Sequence, residues 1–197
     1  MNYILFDDCR EKLLPLTFTR PVCDIRIGIQ TIREKWEGFL DATTSTITED
    51  YLAVKYPRNT ASENVLINGS VCPSQELVNA ISKLSDGERL VKEGTLLAVR
   101  ADSNISDLDL SDKSGTEYST DVLCIEYPWD IFSKNGKALE NDFERITAGR
   151  KSQPVSTSVT VIGNGRVFLE EGAKIEACIL NTSGGSIYLG KNTEVME

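Results

Sequence analysis

Hydrophobic and polar positions along the first 127 residues form short apolar runs separated by helical stripes. The apolar runs that predict strands are residues 2–6, 64–69, 94–100 and 121–126. Apolar positions recur at helical spacing in residues 28–40 and again behind Ser74, which is a good helix cap. Strands that alternate with helices predict an α/β sheet, parallel at least in part, with ligands at the carboxyl ends of its strands.

From about Val159 the apolar positions recur every six residues, with glycines between them. The aliphatic residues at this interval are Val161, Val167, Ala173 and Ile179, then Leu169 with Ile175, and Leu189 with Val195. This period predicts a parallel β-helix in which these residues face inward. The alternative is an antiparallel β-meander, which would show two-residue alternation and hairpin turns. Only about two coils fit before Glu197, so we expect the chain to stop inside a longer repeat region.

Residues 102–120, between the third and fourth predicted strands, are acidic, rich in serine and weakly apolar. The aspartates that could instead form a metal site are Asp102, Asp107, Asp109 and Asp112. Because their spacing fits no calcium-binding loop, we expect a solvated loop here.

Pro128 opens a segment that predicts a helix, a turn at Asn135-Gly136 and a second helix. Its aromatic residues, which we expect to pack and to anchor a connector, are Trp129, Phe132 and Phe143. These changes of pattern divide the chain into an α/β domain, a helical connector and a repeat region. Their ranges are 1–127, 128–158 and 159–197.

The amino-acid composition argues against several classes of function. With 21 basic and 30 acidic residues, the net charge of −9 argues against a nucleic-acid-binding face. No apolar run predicts a membrane span and no signal-peptide pattern is present, so a cytoplasmic location is the simplest expectation. The chain has no histidine, which excludes Ser-His-Asp and Cys-His catalysis within these residues. Its five scattered cysteines predict reduced, mostly buried thiols.

The N-terminal run KLLPLTFTRPV (12–22) follows the apolar run YILF and resembles the RLRPLT-x-x-RPK signature of sugar-phosphate nucleotidyltransferases. Residues 65–84 resemble the second strand and following helix of that family. The six-residue repeat is similar to the left-handed β-helix of bifunctional UDP-N-acetylglucosamine diphosphorylase and glucosamine-1-phosphate acetyltransferase enzymes. With REKWE and YPWDIF, the chain most resembles a bacterial subgroup with an abbreviated N-terminal domain. The resemblance implies a Rossmann-like nucleotidyltransferase-type domain followed by the first coils of a left-handed parallel β-helix of hexapeptide repeats.

Joining a nucleoside triphosphate to a sugar 1-phosphate requires a loop that cradles phosphates, fixed cations, and a carboxylate that holds Mg²⁺. The resemblance implies that phosphates or nucleotide are bound by Arg10, Lys12, Arg20, Asn68 and Gly69. It implies that Mg²⁺ is held by Asp7 or Asp8, as a replacement for the family's metal ligand. The alternative is structural: Lys12 and Arg20 pair with nearby aspartates, and Asn68 stabilises a strand end.

The sequence departs from the family at several positions that serve the reaction. The Gly-rich loop has become DDCRE (7–11), without glycine. Lys12 stands in place of the loop arginine, Val22 in place of a phosphate-binding lysine, and Ser70 in place of the metal-binding aspartate. Each change removes a donor, a charge or a ligand that the reaction uses.

The family resemblance leaves open three hypotheses about function. The first is a sugar-1-phosphate nucleotidyltransferase of the UDP-N-acetylglucosamine type, fused to a hexapeptide-repeat acyltransferase. The second is a degenerate module that binds a nucleotide sugar or has only a structural role. The third places all chemistry in an acyltransferase part beyond residue 197, which would use acetyl-CoA. By analogy with such β-helices, we expect that the full-length protein forms a homotrimer.

Overall fold

The computed structural model describes residues 1–102, 105 and 108–195. The chain divides into two compact units, Met1–Lys134 and Asn135–Glu197. Among the helices of the described residues, none is both long and apolar enough to cross a lipid bilayer.

The first unit is built on a six-stranded sheet. Its strands are β1 (Asn2–Phe6), β4 (Thr44–Ile47), β5 (Glu63–Asn68), β6 (Arg89–Lys92), β7 (Thr95–Asp102) and β8 (Thr116–Glu117), with a separate hairpin of β2 (Arg26–Ile27) and β3 (Gln30–Thr31). The sheet has the order β4-β1-β5-β7-β6-β8. β1 is parallel to β4 and β5, β8 is parallel to β6, and β7 is antiparallel to both of its neighbours. An α/β unit whose sheet is parallel at least in part was predicted and is confirmed.

The helices of the first unit are α1 (Ile32–Leu40), α2 (Asp50–Ala53), α3 (Gln75–Ile81) and α4 (Pro128–Ser133). Ser74 caps α3, as predicted, by accepting a hydrogen bond from the Leu77 amide. The helix predicted at residues 28–40 begins only at Ile32. Gly28 has a φ of 74°, and the turn that it makes joins the two strands of the hairpin before the helix.

The prediction of a strand at residues 121–126 is wrong. The segment makes one isolated antiparallel bridge, between Cys124 and Val71, and the Ile125 amide donates to the Ser70 carbonyl at 3.0 Å. An apolar run becomes a strand only if a neighbouring strand pairs along its length, and this run crosses the end of β5 instead. In the preceding loop, Thr116–Glu117 forms the short strand β8. Asp107 lies outside the described residues.

The core of the first unit lies on both faces of the sheet. One cluster is formed by apolar side chains of β1, β5, β6 and β7, among them Ile4, Leu66 and Val99. Helix α1 buries Trp36 completely, and the Trp36 indole N–H donates to the Val71 carbonyl at 2.7 Å. This bond fixes the chain that leaves β5, which is the chain at the edge where parallel strands place ligands.

The second unit begins with α5 (Asn135–Thr147). The break between α4 and α5 falls at Lys134, one residue before the predicted turn. Phe143 is buried as expected. Trp129 and Phe132 are not buried, since 56% and 76% of their surfaces are exposed. The expectation that all three aromatics anchor a connector is therefore wrong for the two that lie on α4.

The repeat region forms three parallel strand pairs. Its strands are β9 (Thr160–Ile162), β10 (Val167–Leu169), β11 (Lys174–Ile175), β12 (Ile179–Asn181), β13 (Ile187–Leu189) and β14 (Glu194–Val195). β9 pairs with β12, β10 with β13, and β11 with β14. Partners such as Val167 and Ile187 are one coil apart in sequence, so the antiparallel meander is excluded for the described strands.

The inward positions of the repeat differ in part from the predicted ones. Leu169, Ile175 and Leu180 form the buried cluster, whereas Val161 and Ile179 are exposed. The pairing explains the difference: Thr160 aligns with Ile179 but Val167 aligns with Ile187, so the coil is not a fixed multiple of six residues. The buried residues Ile175 and Leu180 are five rather than six residues apart, so the period shortens between β11 and β12 and the inward side chain is Leu180 instead of Ile179.

Glu170 is the centre of a polar cluster in the second unit. The Arg150 guanidinium donates to the buried Glu170 carboxylate at 2.5 Å, and the Tyr188 hydroxyl donates to its other oxygen. Arg150 also lies over the Phe168 ring, which stacks on Tyr188. The hydrogen bond from Arg150 holds the pKa of Glu170 below its ordinary value.

Replacing Glu170 by Gln should lower the melting temperature of the second unit by a few degrees at pH 7. Because the folded-state pKa of Glu170 is lowered, its stabilisation is present above the ordinary value of 4.5 and is lost as pH falls below it. Thermal unfolding followed by circular dichroism should therefore show a difference between variant and wild type that shrinks under acid. Glu171→Gln, at an exposed neighbour, is the matched control and should change little. Equal effects of the two substitutions would contradict the assignment.

Candidate functional site

The candidate site lies where the parallel strands β1 and β5 end side by side. Phe6 and Asn68 are aligned in the register, so the segments that follow both strands begin at the same edge. The Gly69 amide donates to the Phe6 carbonyl at 2.9 Å. A Cβ on Gly69 would lie 3.0 Å from that carbonyl oxygen and 3.2 Å from the Cβ of Cys23. Gly69 is therefore required for the close approach of the chains here, and we call this region the corner (residues 7–26 and 68–72).

Asp7 is the structural centre of the corner. Its carboxylate accepts hydrogen bonds from the Val22 amide at 2.8 Å, the Thr48 hydroxyl at 2.6 Å and the Arg10 guanidinium at 3.1 Å. The side chain is only 6% exposed. Burial raises the pKa of Asp7 above its ordinary value, and the hydrogen bonds with the Arg10 charge oppose that rise in part. Both carboxylate oxygens are thus occupied by groups that shape the loop.

Arg10 is turned into the loop rather than toward solvent. Besides Asp7, its guanidinium donates to the Thr17 carbonyl and to the Tyr51 hydroxyl, the latter at 2.6 Å. The Thr17 hydroxyl donates back to the Arg10 carbonyl at 2.9 Å. The Arg10 side chain is 11% exposed, so a phosphate would have to break these bonds to reach it.

Asp8 differs from Asp7 in keeping about a third of its side chain exposed. One of its oxygens accepts from the Cys9 amide and the other from the Asn68 side-chain amide, each at 3.0 Å. Asn68 in turn accepts from the amide and the hydroxyl of Ser70. The buried Ser70 hydroxyl is therefore directed at Asn68, at the position where the resemblance places a metal-binding aspartate.

Two of the predicted phosphate-binding cations remain accessible. Lys12 is about half exposed and forms an ion pair with Glu126 at 3.3 Å. Arg20 is exposed, and its side chain makes no hydrogen bond or ion pair within the described part of the chain. The Arg20 carbonyl accepts from Arg10 at 3.4 Å, which places Arg20 on the outside of the loop that Asp7 holds.

Lys113 was missed by the sequence analysis. It comes from the acidic loop after β7, and its ammonium lies 3.8 Å from an Asp8 oxygen with about a third of the side chain exposed. The corner therefore has a third accessible cation in addition to Lys12 and Arg20. No local pattern could have identified it, because its position depends on how a loop about a hundred residues away folds back.

The thiols near the corner are unsuited to nucleophilic chemistry. All five cysteines are free. Burial raises the pKa of Cys9 to about 12 and also raises that of Cys23. Both thiols therefore stay protonated at neutral pH.

Asp7 and Asp8 are not equally suited to bind a magnesium ion. Nowhere in residues 1–102, 105 and 108–195 do three or more Cys, Asp or Glu side chains gather so that they could hold a metal alone. Asp7 fits poorly because its oxygens accept three hydrogen bonds, one of them from a guanidinium. Asp8 fits better, since Mg²⁺ commonly binds one or two carboxylates and takes its remaining ligands from water and substrate phosphates.

Residues 3–151 match the model of a protein family described as sugar nucleotidyl transferase. The matched range contains the sheet of the first unit except Asn2, and every corner residue described above. The match supports the resemblance to nucleotidyltransferases that was drawn from the N-terminal motif. No curated protein matches the chain.

Replacing Asp7 by Asn should lower the free energy of unfolding by roughly 3 kcal/mol, because an amide cannot accept from all three donors and leaves Arg10 without its counter-charge. Urea unfolding would measure the loss. Asp8→Asn is the matched control at the neighbouring, more exposed carboxylate, and should cost under about 1 kcal/mol. Equal losses from the two variants would refute a structural role that is particular to Asp7.

Proposed function

The chain belongs to the sugar nucleotidyl transferase family, and on that premise we propose that its first unit binds a nucleotide sugar of the UDP-N-acetylglucosamine type at the corner. The family implies a nucleotide and a sugar phosphate as substrates. The observation that carries the proposal is the set of accessible cations around the end of β1. These are Lys12, Arg20 and Lys113.

These cations suit a diphosphate in different ways. The Arg20 guanidinium can donate two parallel hydrogen bonds to phosphate oxygens. Binding a phosphate would break no existing side-chain hydrogen bond or ion pair of Arg20 within the described residues. Lys12 and Lys113 are paired with Glu126 and Asp8, so phosphate must compete with a carboxylate for each. Arg20 should therefore contribute most to binding.

Binding without turnover is the function that the corner supports best. Arg10 and Asp7 are engaged in holding the loop, and Val22 and Ser70 replace the lysine and the aspartate that the family uses. Transfer of a nucleotidyl group depends on positioning and on charge stabilisation, so each missing part reduces the rate. Recognition of a diphosphate needs only accessible donors.

Replacing Arg20 by Ala should weaken binding of UDP-N-acetylglucosamine about 10- to 100-fold, as expected for loss of charge-assisted hydrogen bonds. Isothermal titration calorimetry of the full chain would measure the change. The matched control is Arg58→Ala, also at an exposed arginine but beside Asn59, which accepts from Asn2 at the opposite end of β1. If wild-type protein binds no nucleotide sugar, or if both variants bind like wild type, the proposal fails.

A second candidate function is Mg²⁺-dependent nucleotidyl transfer, favoured by the partly exposed carboxylate of Asp8 beside Lys113. In this proposal Asp8, rather than Asp7, holds the metal. When bound, Mg²⁺ would neutralise phosphate charge during release of pyrophosphate. Lys113 and Arg20 would orient the phosphates at the same edge.

Nucleotidyl transfer predicts release of pyrophosphate from UTP and N-acetylglucosamine 1-phosphate in the presence of Mg²⁺. Because Asp8 is the proposed metal ligand, Asp8→Asn should reduce the rate at least 100-fold. A coupled pyrophosphate assay would measure it, with Glu11→Gln as a control at an exposed carboxylate of the same loop. A folded protein that binds nucleotide but releases no pyrophosphate would exclude this candidate and leave the binding function.

For the second unit, we propose that the repeat region begins a left-handed β-helix of the hexapeptide acyltransferase type. The support is the parallel pairing of strands one coil apart and the aliphatic cluster at Leu169, Ile175 and Leu180. Acetyl-CoA as the acyl donor and a homotrimer as the assembly follow from the same resemblance and are part of this proposal.

A further inference from the structure

Two aromatic rings at the start of α4 form an exposed stacked pair. The rings of Tyr127 and Trp129 are 4.6 Å apart between centroids, with an angle of 7° between their planes. More than half of the Trp129 surface is exposed although Tyr127 covers one face of its ring. The uncovered face is a flat apolar surface in contact with water, which we call the aromatic platform (Tyr127 and Trp129).

The platform is held in place by its own backbone. The Asp130 carboxylate accepts from the Glu126 amide at 2.8 Å and from the Tyr127 amide at 3.0 Å. Pro128, between the two aromatic residues, restricts the chain at the first turn of α4. The backbone that carries the two rings is therefore ordered before any ligand binds, and the rings already stack on each other, which reduces the conformational entropy lost when a ligand stacks on them.

The platform adjoins the corner. Ile125, two residues before Tyr127, donates its amide to the Ser70 carbonyl and accepts from the Cys9 thiol at 3.4 Å. The Lys12 ammonium lies 5.2 Å from the centre of the Tyr127 ring. A cation proposed to contact phosphate thus lies over a ring of the aromatic platform, so a surface that suits a nucleobase adjoins a group that suits a phosphate.

We propose that the aromatic platform stacks the base of the nucleotide whose phosphates the corner binds, an inference that rests on the proposed function. A nucleobase is planar and extended, so it can cover the open face of Trp129 while the accessible cations of the corner attract the attached phosphates. The platform supplies affinity for the base, and the cations of the corner supply affinity for the diphosphate.

Tryptophan fluorescence can test the proposal directly because the chain has two tryptophans in opposite environments. Trp36 is fully buried, whereas Trp129 is exposed and should be the one that acrylamide quenches. In the full chain, UTP should protect this emission from acrylamide. Inorganic pyrophosphate, which carries the phosphates without a base, should not.

The variant Trp129→Ala should weaken UTP binding by roughly tenfold, as expected for one lost base-stacking contact, and should leave pyrophosphate affinity unchanged. The matched control is Phe132→Ala on the same helix, which removes another exposed aromatic ring; it should bind UTP like wild type. Circular dichroism would verify that both variants fold.

The outcomes separate this proposal from the one on which it rests. If Trp129→Ala binds UTP as tightly as wild type does, the platform is refuted and the binding function of the corner stands. Equal weakening of UTP and pyrophosphate binding would also refute base stacking. If the wild-type chain binds neither UTP nor UDP-N-acetylglucosamine, the proposed function fails and the platform proposal fails with it.

Discussion

The corner of the first unit depends on a buried carboxylate that joins three separate parts of the chain. Asp7 directly follows β1, and it accepts from Val22 in the long loop, from Thr48 behind β4 and from Arg10. Taking a carboxylate out of water is costly, and this cost is offset only while all of these donors remain in place. The loop conformation and the ionised state of Asp7 are therefore mutually dependent, and the positions of Arg20 and Lys12 follow from them.

The hydrogen bonds within the loop give part of the N-terminal motif a structural role. Thr17, which matches the family motif, and Arg10, which lies near the position of the family's loop arginine, form hydrogen bonds with each other. These two residues therefore preserve the shape of the loop and do not face a substrate. Val22 contributes its amide to Asp7, and its buried side chain belongs to the core. The groups of this region that remain accessible are the cations Lys12, Arg20 and Lys113 and the partly exposed carboxylate of Asp8.

Sequence patterns predicted the fold best where periodicity reflects burial. The strands at residues 2–6 and 64–69 were found because both faces of a central parallel strand are apolar. The expectation that ligands lie at the ends of these strands identified the corner, although it could not distinguish the role of Asp7 from that of Asp8. Those neighbouring carboxylates differ in their burial and in their tertiary partners, among them Thr48 for Asp7 and Asn68 for Asp8, which are far away in sequence.

The remaining differences arise from contacts that no local pattern contains. Residues 121–126 are as apolar as a strand, but they cross a strand end and find only one bridging partner. Lys113 and Trp129 become candidate ligand contacts only because their segments return to the corner. In the repeat, the six-residue period shortens by one residue between β11 and β12, so Leu180 is buried in place of Ile179.

The cluster around Glu170 has a consequence for how the repeat region resists fraying. In a solenoid each coil is stabilised by its neighbours, so the first coil has a partner on one side only and is prone to open from that end. Arg150 precedes the first coil, Glu170 lies within it and Tyr188 belongs to the next, yet the three side chains share one hydrogen-bonded group. Separating the first coil from the second would break the hydrogen bond from the Tyr188 hydroxyl to Glu170 and the stacking of Phe168 on Tyr188, which makes local separation of the two coils more costly. The cluster thus acts as an end cap that makes the coils open together rather than one at a time.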